Sequence, residues 1–365
     1  MELKIVNFIK THSNWEELLT SSPYNLTIRR DGKLILFKYS QINSDFNEEI
    51  CCEARGLILE EGTWKVVRMA FKKFFNLGEP FAAKIDWDSA VGSEKLDGSI
   101  ISVFYYDGKW RIATNSTIDA FKAEFNGVGP YKNFGELFES VLPLSTFTNY
   151  NKHRCWTFEL VSPYNKVVID YPETKVYLLS VRDMDSLEEL GLDAVEMLAD
   201  ANGLTVPKRY DLNNEADYRK VVEQMPEGHE GIVVCDGKGE RVKIKTLLYF
   251  EMHKAKNNGV ITLERIVDLI LKNDDEEFLS YFVEYRPKFF HIRNVREKIL
   301  SRIEEINTLV KSYSSKKEIA LDNSIPNWEK RFYFNAFDKR ENNLELKDWC
   351  KLIEMWEATH NESIE

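Results

Sequence analysis

EKLDGSIISVFYYDGKWRIAT, residues Glu94 to Thr114, spells out a strand, a turn and a second strand. Ile100 to Tyr106 is rich in β-branched and aromatic residues, which fit a pleated, half-buried surface. Asp107-Gly108 is the dipeptide favoured by two-residue hairpin turns, whose central positions need positive φ. Lys109 to Thr114 then pairs back. In front of the first strand stands Lys95-Leu96-Asp97-Gly98, a lysine beside a turn.

The same pattern recurs on both sides. Asn25 to Tyr39 reads NLTIRR-DG-KLILFKY, and Gly231 to Lys245 reads GIVVC-DGKG-ERVKIK. Each places Asp-Gly between β-rich runs, so antiparallel sheet is expected. Helical patterns at Tyr131 to Leu142, Ser186 to Ala201 and Ala216 to Gln224 lie between the strands, without a regular strand-helix-strand alternation. This part of the chain therefore reads as α+β.

Beyond Lys245 the texture changes. Glycine becomes rare, and Ile299, Leu300, Ile303, Ile306 and Val310 fall on one face of a long helix punctuated by Pro287, Asn323 and Pro326. A boundary near Asn257 to Gly259 divides residues 1–256 from an all-helical domain over 257–365. At 365 residues, two domains are the expected arrangement.

Composition narrows the function. A 43% hydrophobic, 30% charged chain is ordinary for a folded globular protein. The net charge of -11 argues against a broadly basic surface for duplex binding, so any nucleic-acid site must be local. No apolar run has the length of a membrane span and no signal-peptide core opens the chain, which reads as cytoplasmic with no membrane partner. Five scattered cysteines indicate neither a disulfide framework nor a zinc site.

Four segments carry chemistry together. Singly, Lys95 is a loop charge, Glu159 in CWTFELV a satisfied strand carboxylate, and Lys243 with Lys245 an edge strand protected by charge. Their order is more telling. A Lys-Asp-Gly turn is followed by a glutamate in an apolar strand, then by Glu230-Gly231 opening a strand, then by K-x-K on its hairpin partner. Residues at i and i+2 of a strand share a face, so Lys243 and Lys245 point to one side.

These segments resemble the covalent nucleotidyltransferases, whose K-x-D-G motif is similar to Lys95 to Gly98. More narrowly, the chain resembles the RNA ligase 1 family of T-even bacteriophages. Glu53-Ala54-Arg55-Gly56, Lys72-Lys73-Phe74-Phe75-Asn76-Leu77, Thr157 to Pro163, Val176 to Arg182 and Tyr249 carry this likeness, with a fainter echo at Asp274-Asp275. The resemblance implies an ATP-grasp-like nucleotidyltransferase domain of antiparallel sheets flanked by helices. It implies ATP and Mg2+ as cofactors, with Mn2+ able to substitute, and Lys95 carrying AMP. Arg55 and Lys73 would help hold the triphosphate; Asp97 and Gly98 would shape the loop presenting Lys95. Lys243 and Lys245 would grip phosphate and act on the Lys95 amine. Glu94, Glu159, Glu230 and Tyr249 complete the expected nucleotide site, and Glu230, Glu159, Asp274 and Asp275 the expected metal contacts. Phe71, Phe74 and Phe75 are read mainly as core, with room for one of them at the site.

One position departs from the pattern: Asn115 stands where that family often has a basic residue, and supplies at most an amide donor. Single-stranded RNA ends are the implied substrate, and a cleaved tRNA anticodon loop the implied target, for a monomeric enzyme. A capping guanylyltransferase, a DNA ligase and an inactive RNA-binding relative remain alternatives. The helical tail disfavours the DNA ligase, which would carry an OB-fold there.

Overall fold

A computed structural model describes residues 2–40, 43–124, 129–165, 169–226, 228–246, 261–272, 275, 279, 285–340, 342 and 344–360. Contacts divide the chain into two units, Met1–His253 and Lys254–Glu365.

The first unit holds thirteen strands among its described residues. They are β1 (Thr27–Asp31), β2 (Leu34–Lys38), β3 (Arg55–Glu60), β4 (Val66–Arg68), β5 (Phe75–Asn76), β6 (Val91–Lys95) and β7 (Ser99–Tyr106). After these come β8 (Lys109–Thr114), β9 (Arg154–Val161), β10 (Lys175–Asp183), β11 (Arg209–Tyr210), β12 (Gly231–Cys235) and β13 (Arg241–Lys245). Three sheets result, ordered β1-β2-β3-β4, β10-β9-β7-β8 and β11-β6-β12-β13-β5.

The three Asp-Gly hairpins form as read. β7 and β8 pair from Tyr106↔Lys109 to Ile101↔Thr114, and Asp107 and Gly108 adopt φ of 50° and 78°, the positive pair that a tight turn demands. Between the named strands, pairing is antiparallel except where β13 runs parallel to β5, through Val242↔Phe75 and Lys243↔Asn76. That exception has a physical cause. Phe75-Asn76 reaches the sheet from far upstream, so no hairpin dictates its direction.

Two apolar layers fix the middle sheet. On one face Ile101, Val103, Trp156 and Phe158 pack with Leu137, Phe138 and Val195 from the helices Phe134–Glu139 and Leu192–Asn202. On the other, Phe104, Ala113 and Cys155 join the core formed with β1 to β4. Both helices are shorter than their sequence patterns. Asn133 caps the first by accepting the Glu136 N–H at 2.8 Å, and Asp183 ties Asp185 and Ser186 into a turn that delays the second. A third helix, Glu215–Glu223, covers the last sheet with Tyr218 and Val222.

In the second unit every described element is helical: Leu263–Lys272, Arg286–Leu309, Lys316–Leu321, Lys330–Phe337 and Leu346–His360, with one short 3-10 turn. Ile299, Ile303 and Ile306 are buried along the long helix, whose first turn holds Pro287, where a missing N–H costs nothing. Leu300 is only half-buried at the edge of that stripe. No described helix is long and apolar enough to cross a membrane.

Candidate active site

Strand register assembles the lysines. On the last sheet Gly231 faces Lys95 of β6 on one side and Lys245 of β13 on the other, and Val233 faces Lys243 one step along. Side chains two residues apart share a face, so Lys95, Lys243 and Lys245 project from the same side. Only glycine fits between them. Gly231 has φ of 148°, and a Cβ there would lie 2.0 Å from the Ile244 carbonyl oxygen.

Glu230, one residue before Gly231, reaches the lysines of both flanking strands. Its Oε2 lies 2.5 Å from Lys95 Nζ, though out of hydrogen-bond alignment, and its Oε1 lies 3.7 Å from Lys245 Nζ. Glu230 is 3% exposed, so this is a desolvated cluster in which Coulomb forces are weakly screened. The sequence had suggested that the cationic pair would act on the Lys95 amine directly. Between Lys95 and Lys245 a carboxylate intervenes instead, which is the order that charge dictates when two ammonium groups converge in a buried space.

The middle sheet brings a second acid. Glu159 projects from β9, buried at 8% exposure, and its Oε1 accepts the Gly98 N–H at 3.1 Å. Burial pushes its carboxyl up to about 8; Lys95 opposes the rise, Glu230 adds to it, and Arg55 and the Gly98 bond oppose it. β6 and β7 belong to different sheets, and only Leu96, Asp97 and Gly98 join them. A Cβ on Gly98 would meet the Leu160 carbonyl oxygen at 2.3 Å, so this link lies flush against β9.

Arg55 also bears on this pair, whereas Lys73 sits among aromatic rings. Arg55 spreads its guanidinium over the Phe74 ring at 5.1 Å, with a buried Nη1 that has no hydrogen-bond partner, and its charge bears on Glu159. Lys73 Nζ is surrounded by the rings of Tyr39, Phe46 and Phe75 at 5.0 to 5.2 Å, a cation–π enclosure on three sides. Phe71 and Phe75 are buried, as expected of core residues, while Phe74 carries Arg55. Glu94 alternates to the face of β6 opposite Lys95 and lies 3.5 Å from His229 Nε2, so it does not join Lys95 in the carboxylate cluster.

Asp97 is buried and serves the backbone: its Oδ2 accepts the Ile169 N–H at 2.7 Å, and its own N–H donates to the Tyr171 hydroxyl at 3.0 Å. Tyr171 was not legible in the sequence, where it is one tyrosine in an unpatterned stretch. Arg68 was. It interrupts the apolar run Val66 to Phe71 as Glu159 interrupts its strand, and it is fully buried, donating to Gly56 O at 2.5 Å, Ser102 Oγ at 2.8 Å and Asn115 Oδ1 at 2.9 Å. Burial lowers its guanidinium to about 10.

Tyr249 and Asp274 lie outside the described residues. Asp275 differs from its expectation as a metal contact. Its buried carboxylate is ion-paired with Arg293, whose Nε donates to Oδ2 at 2.7 Å, so its charge is already neutralised within the helical unit. Among the described residues no group of three or more His, Cys, Asp or Glu side chains converges to form a metal cage.

Comparison with known proteins bears on this geometry. The chain is 27% identical over 369 positions to an RNA ligase of Rhodothermus phage RM378, covering 84% of this chain and 83% of that protein. It is 30% identical over 233 positions to RNA ligase 1 of Bacteriophage TS2126, covering 60% and 56% of the two chains. The fold is similar to that of an archaeal ATP-dependent RNA ligase, with a TM-score of 0.50 at 15% identity over 83% of this chain and 82% of that one. A family model described as RNA ligase matches residues 53–258, the span that contains every strand from β3 to β13 and the whole Lys95 cluster; the chain belongs to the RNA ligase family.

Proposed function

We propose that this RNA ligase uses ATP and carries AMP on Lys95. The carrying observation is the 2.5 Å approach of the Lys95 amine to a buried glutamate that is itself flanked by Lys245 and opposed by Glu159. An amine so placed has a counter-ion at rest and must lose both that partner and a proton before it can attack. Glu230 Oε2 is the nearest atom able to accept the proton. Attack on the α-phosphorus forms the Lys95 nitrogen–phosphorus bond, breaks the bond to the bridging oxygen and releases pyrophosphate. Lys243 and Lys245, with Arg55 and Lys73, supply positive charge for the phosphate oxygens.

Glu230 and Glu159 are the residues that would hold Mg2+, with Mn2+ able to replace it. Two carboxylates meeting in a buried space, one of them pushed up to about 8, are a donor set short of positive charge, and hard cations bind through one or two such groups plus substrate phosphates. When bound, the ion neutralises charge on the phosphates.

In the second step the 5'-phosphate of an RNA end takes AMP from Lys95, and in the third a 3'-hydroxyl displaces AMP to seal the strand. Single-stranded ends suit a locally charged site on an acidic protein. Repair of a cleaved tRNA anticodon loop is the proposed task, with the helical unit selecting the RNA. Incubation with labelled ATP and Mg2+, followed by denaturing electrophoresis, tests the first step. A labelled wild-type band that is absent in Lys95→Ala supports it, and an equally labelled Lys95→Ala band overturns it. Labelled GTP in a parallel lane separates a guanylyltransferase.

A further inference from the structure

We propose that Tyr171 is a positioning residue for the lysine-transfer step, its hydroxyl gripping the turn that presents Lys95. The inference rests on the proposed chemistry of Lys95 and extends it to a residue outside the motif. The three-residue link from β6 to β7 is fastened by chain that follows β9. Asn165 Nδ2 donates to Ser99 Oγ at 2.8 Å, the Ile169 N–H donates to Asp97 Oδ2 at 2.7 Å, and the Asp97 N–H donates to Tyr171 Oη at 3.0 Å. These fastenings join positions 66, 72 and 74 residues apart, so they exist only in the folded chain.

The tyrosine bond holds the main chain of the link by a side chain outside the motif, one residue from the Gly98 N–H bond to Glu159 Oε1. Asp97 is buried, so its N–H needs an acceptor, and without the hydroxyl that donor is left unsatisfied or the turn shifts to find another. With its oxygen receiving Asp97, the hydroxyl keeps its own proton to donate. Burial chiefly holds it protonated, against the pull of the Asp97 N–H bond, and the negative charges of Asp97, Glu230 and Glu159 add to the effect of burial. Tyr171 therefore braces the turn through its hydroxyl. Its ring packs on Ile169, which accounts for the side chain's bulk but not for the hydroxyl.

Tyr171→Phe removes the hydroxyl and keeps the ring. Lys95–AMP formation at saturating ATP is expected to fall about tenfold, the equivalent of one hydrogen bond, while half-saturating ATP stays within about twofold. Sealing of RNA that already carries AMP on its 5'-phosphate, which does not use the Lys95 amine as nucleophile, should also stay within about twofold. Asn165→Ala, which frees Ser99 from the same clasp, should show the same split. A rise in half-saturating ATP with the maximal rate intact would place the hydroxyl on the nucleotide and overturn the inference. So would equal loss of both reactions with a lowered melting temperature, or no change in either. If the wild-type protein forms no lysyl-AMP while it still seals pre-adenylylated RNA, the error lies in the role given to Lys95.

Discussion

Arg68, fully buried, donates to the half-buried Asn115: the guanidinium Nη2 lies 2.9 Å from the Asn115 amide oxygen, and no carboxylate reaches the arginine within ion-pair distance among the described residues. This relationship gives a reason for asparagine at 115. A lysine or arginine there would set a second cation against a guanidinium that burial already holds down to about 10. Because the amide oxygen accepts from Arg68, the amide nitrogen is the group left to donate elsewhere.

Substitutions at 115 should then move stability in opposite directions. Asn115→Ala removes an acceptor from a buried cation and is expected to cost about 1–3 kcal/mol, whereas Asn115→Asp supplies a counter-charge and should stabilise by about 1 kcal/mol or more. Urea unfolding midpoints of the two variants, compared at unchanged slope, check this. Destabilisation by both would refute it.

Glu230 separates two lysines, and removing its charge should be felt at the chemistry more than in the fold. Glu230→Gln keeps shape but leaves Lys95 and Lys245 facing each other without an anion. Lysyl-AMP formation is expected to fall by at least about 100-fold, as is usual when a buried charge aimed at a reacting centre is lost. Single-turnover labelling with ATP measures the effect.

Glu159 makes stability depend on pH with a definite sign. Its carboxyl sits at about 8 in the folded chain against an ordinary 4.5, so the folded state holds the proton more tightly. That contribution is whole below the unfolded value and is lost as pH rises through the folded one. The nucleotide-free protein should weaken between those limits by at most about 1.4 kcal/mol per pH unit from this group, and Glu159→Gln should flatten the slope. Chemical unfolding of both proteins near about pH 5 and about pH 9 tests it; parallel slopes would count against the assignment.

The two glycines at the site have no substitute. A Cβ at Gly98 or Gly231 meets a carbonyl oxygen at 2.3 or 2.0 Å, and Gly231 also holds a φ that side chains avoid. Alanine at either position is expected to cost about 2–5 kcal/mol, more at 231 than at 98. Alanine at Gly32, where nothing lies within 4 Å of the added carbon, pays only for its φ of 59° and serves as the milder comparison in the same thermal unfolding series.

How far the sequence reached can be judged residue by residue. Hairpins flanked by Asp-Gly were legible because the turn chemistry is local, and the shared face of Lys243 and Lys245 was legible because strand periodicity is local too. What escaped is long-range. The parallel strand Phe75–Asn76 is two residues long, Tyr171 reaches a partner 74 positions away, and Glu230 inserts between lysines only once three strands are in register. The Asp275 expectation rested on a faint likeness, and the partner that neutralises it, Arg293, is a helix away. Arg68 carries a readable signal, a charged residue inside an apolar strand, the same one that marks Glu159.

The bridge of Leu96, Asp97 and Gly98 has a mechanical consequence. The Lys95 amine hangs from the last residue of β6, and after the three linking residues begins β7, which pairs with Glu159's own strand in the neighbouring sheet. A tether that short has almost no slack. Any rocking of one sheet against the other is therefore passed to the backbone from which the amine hangs.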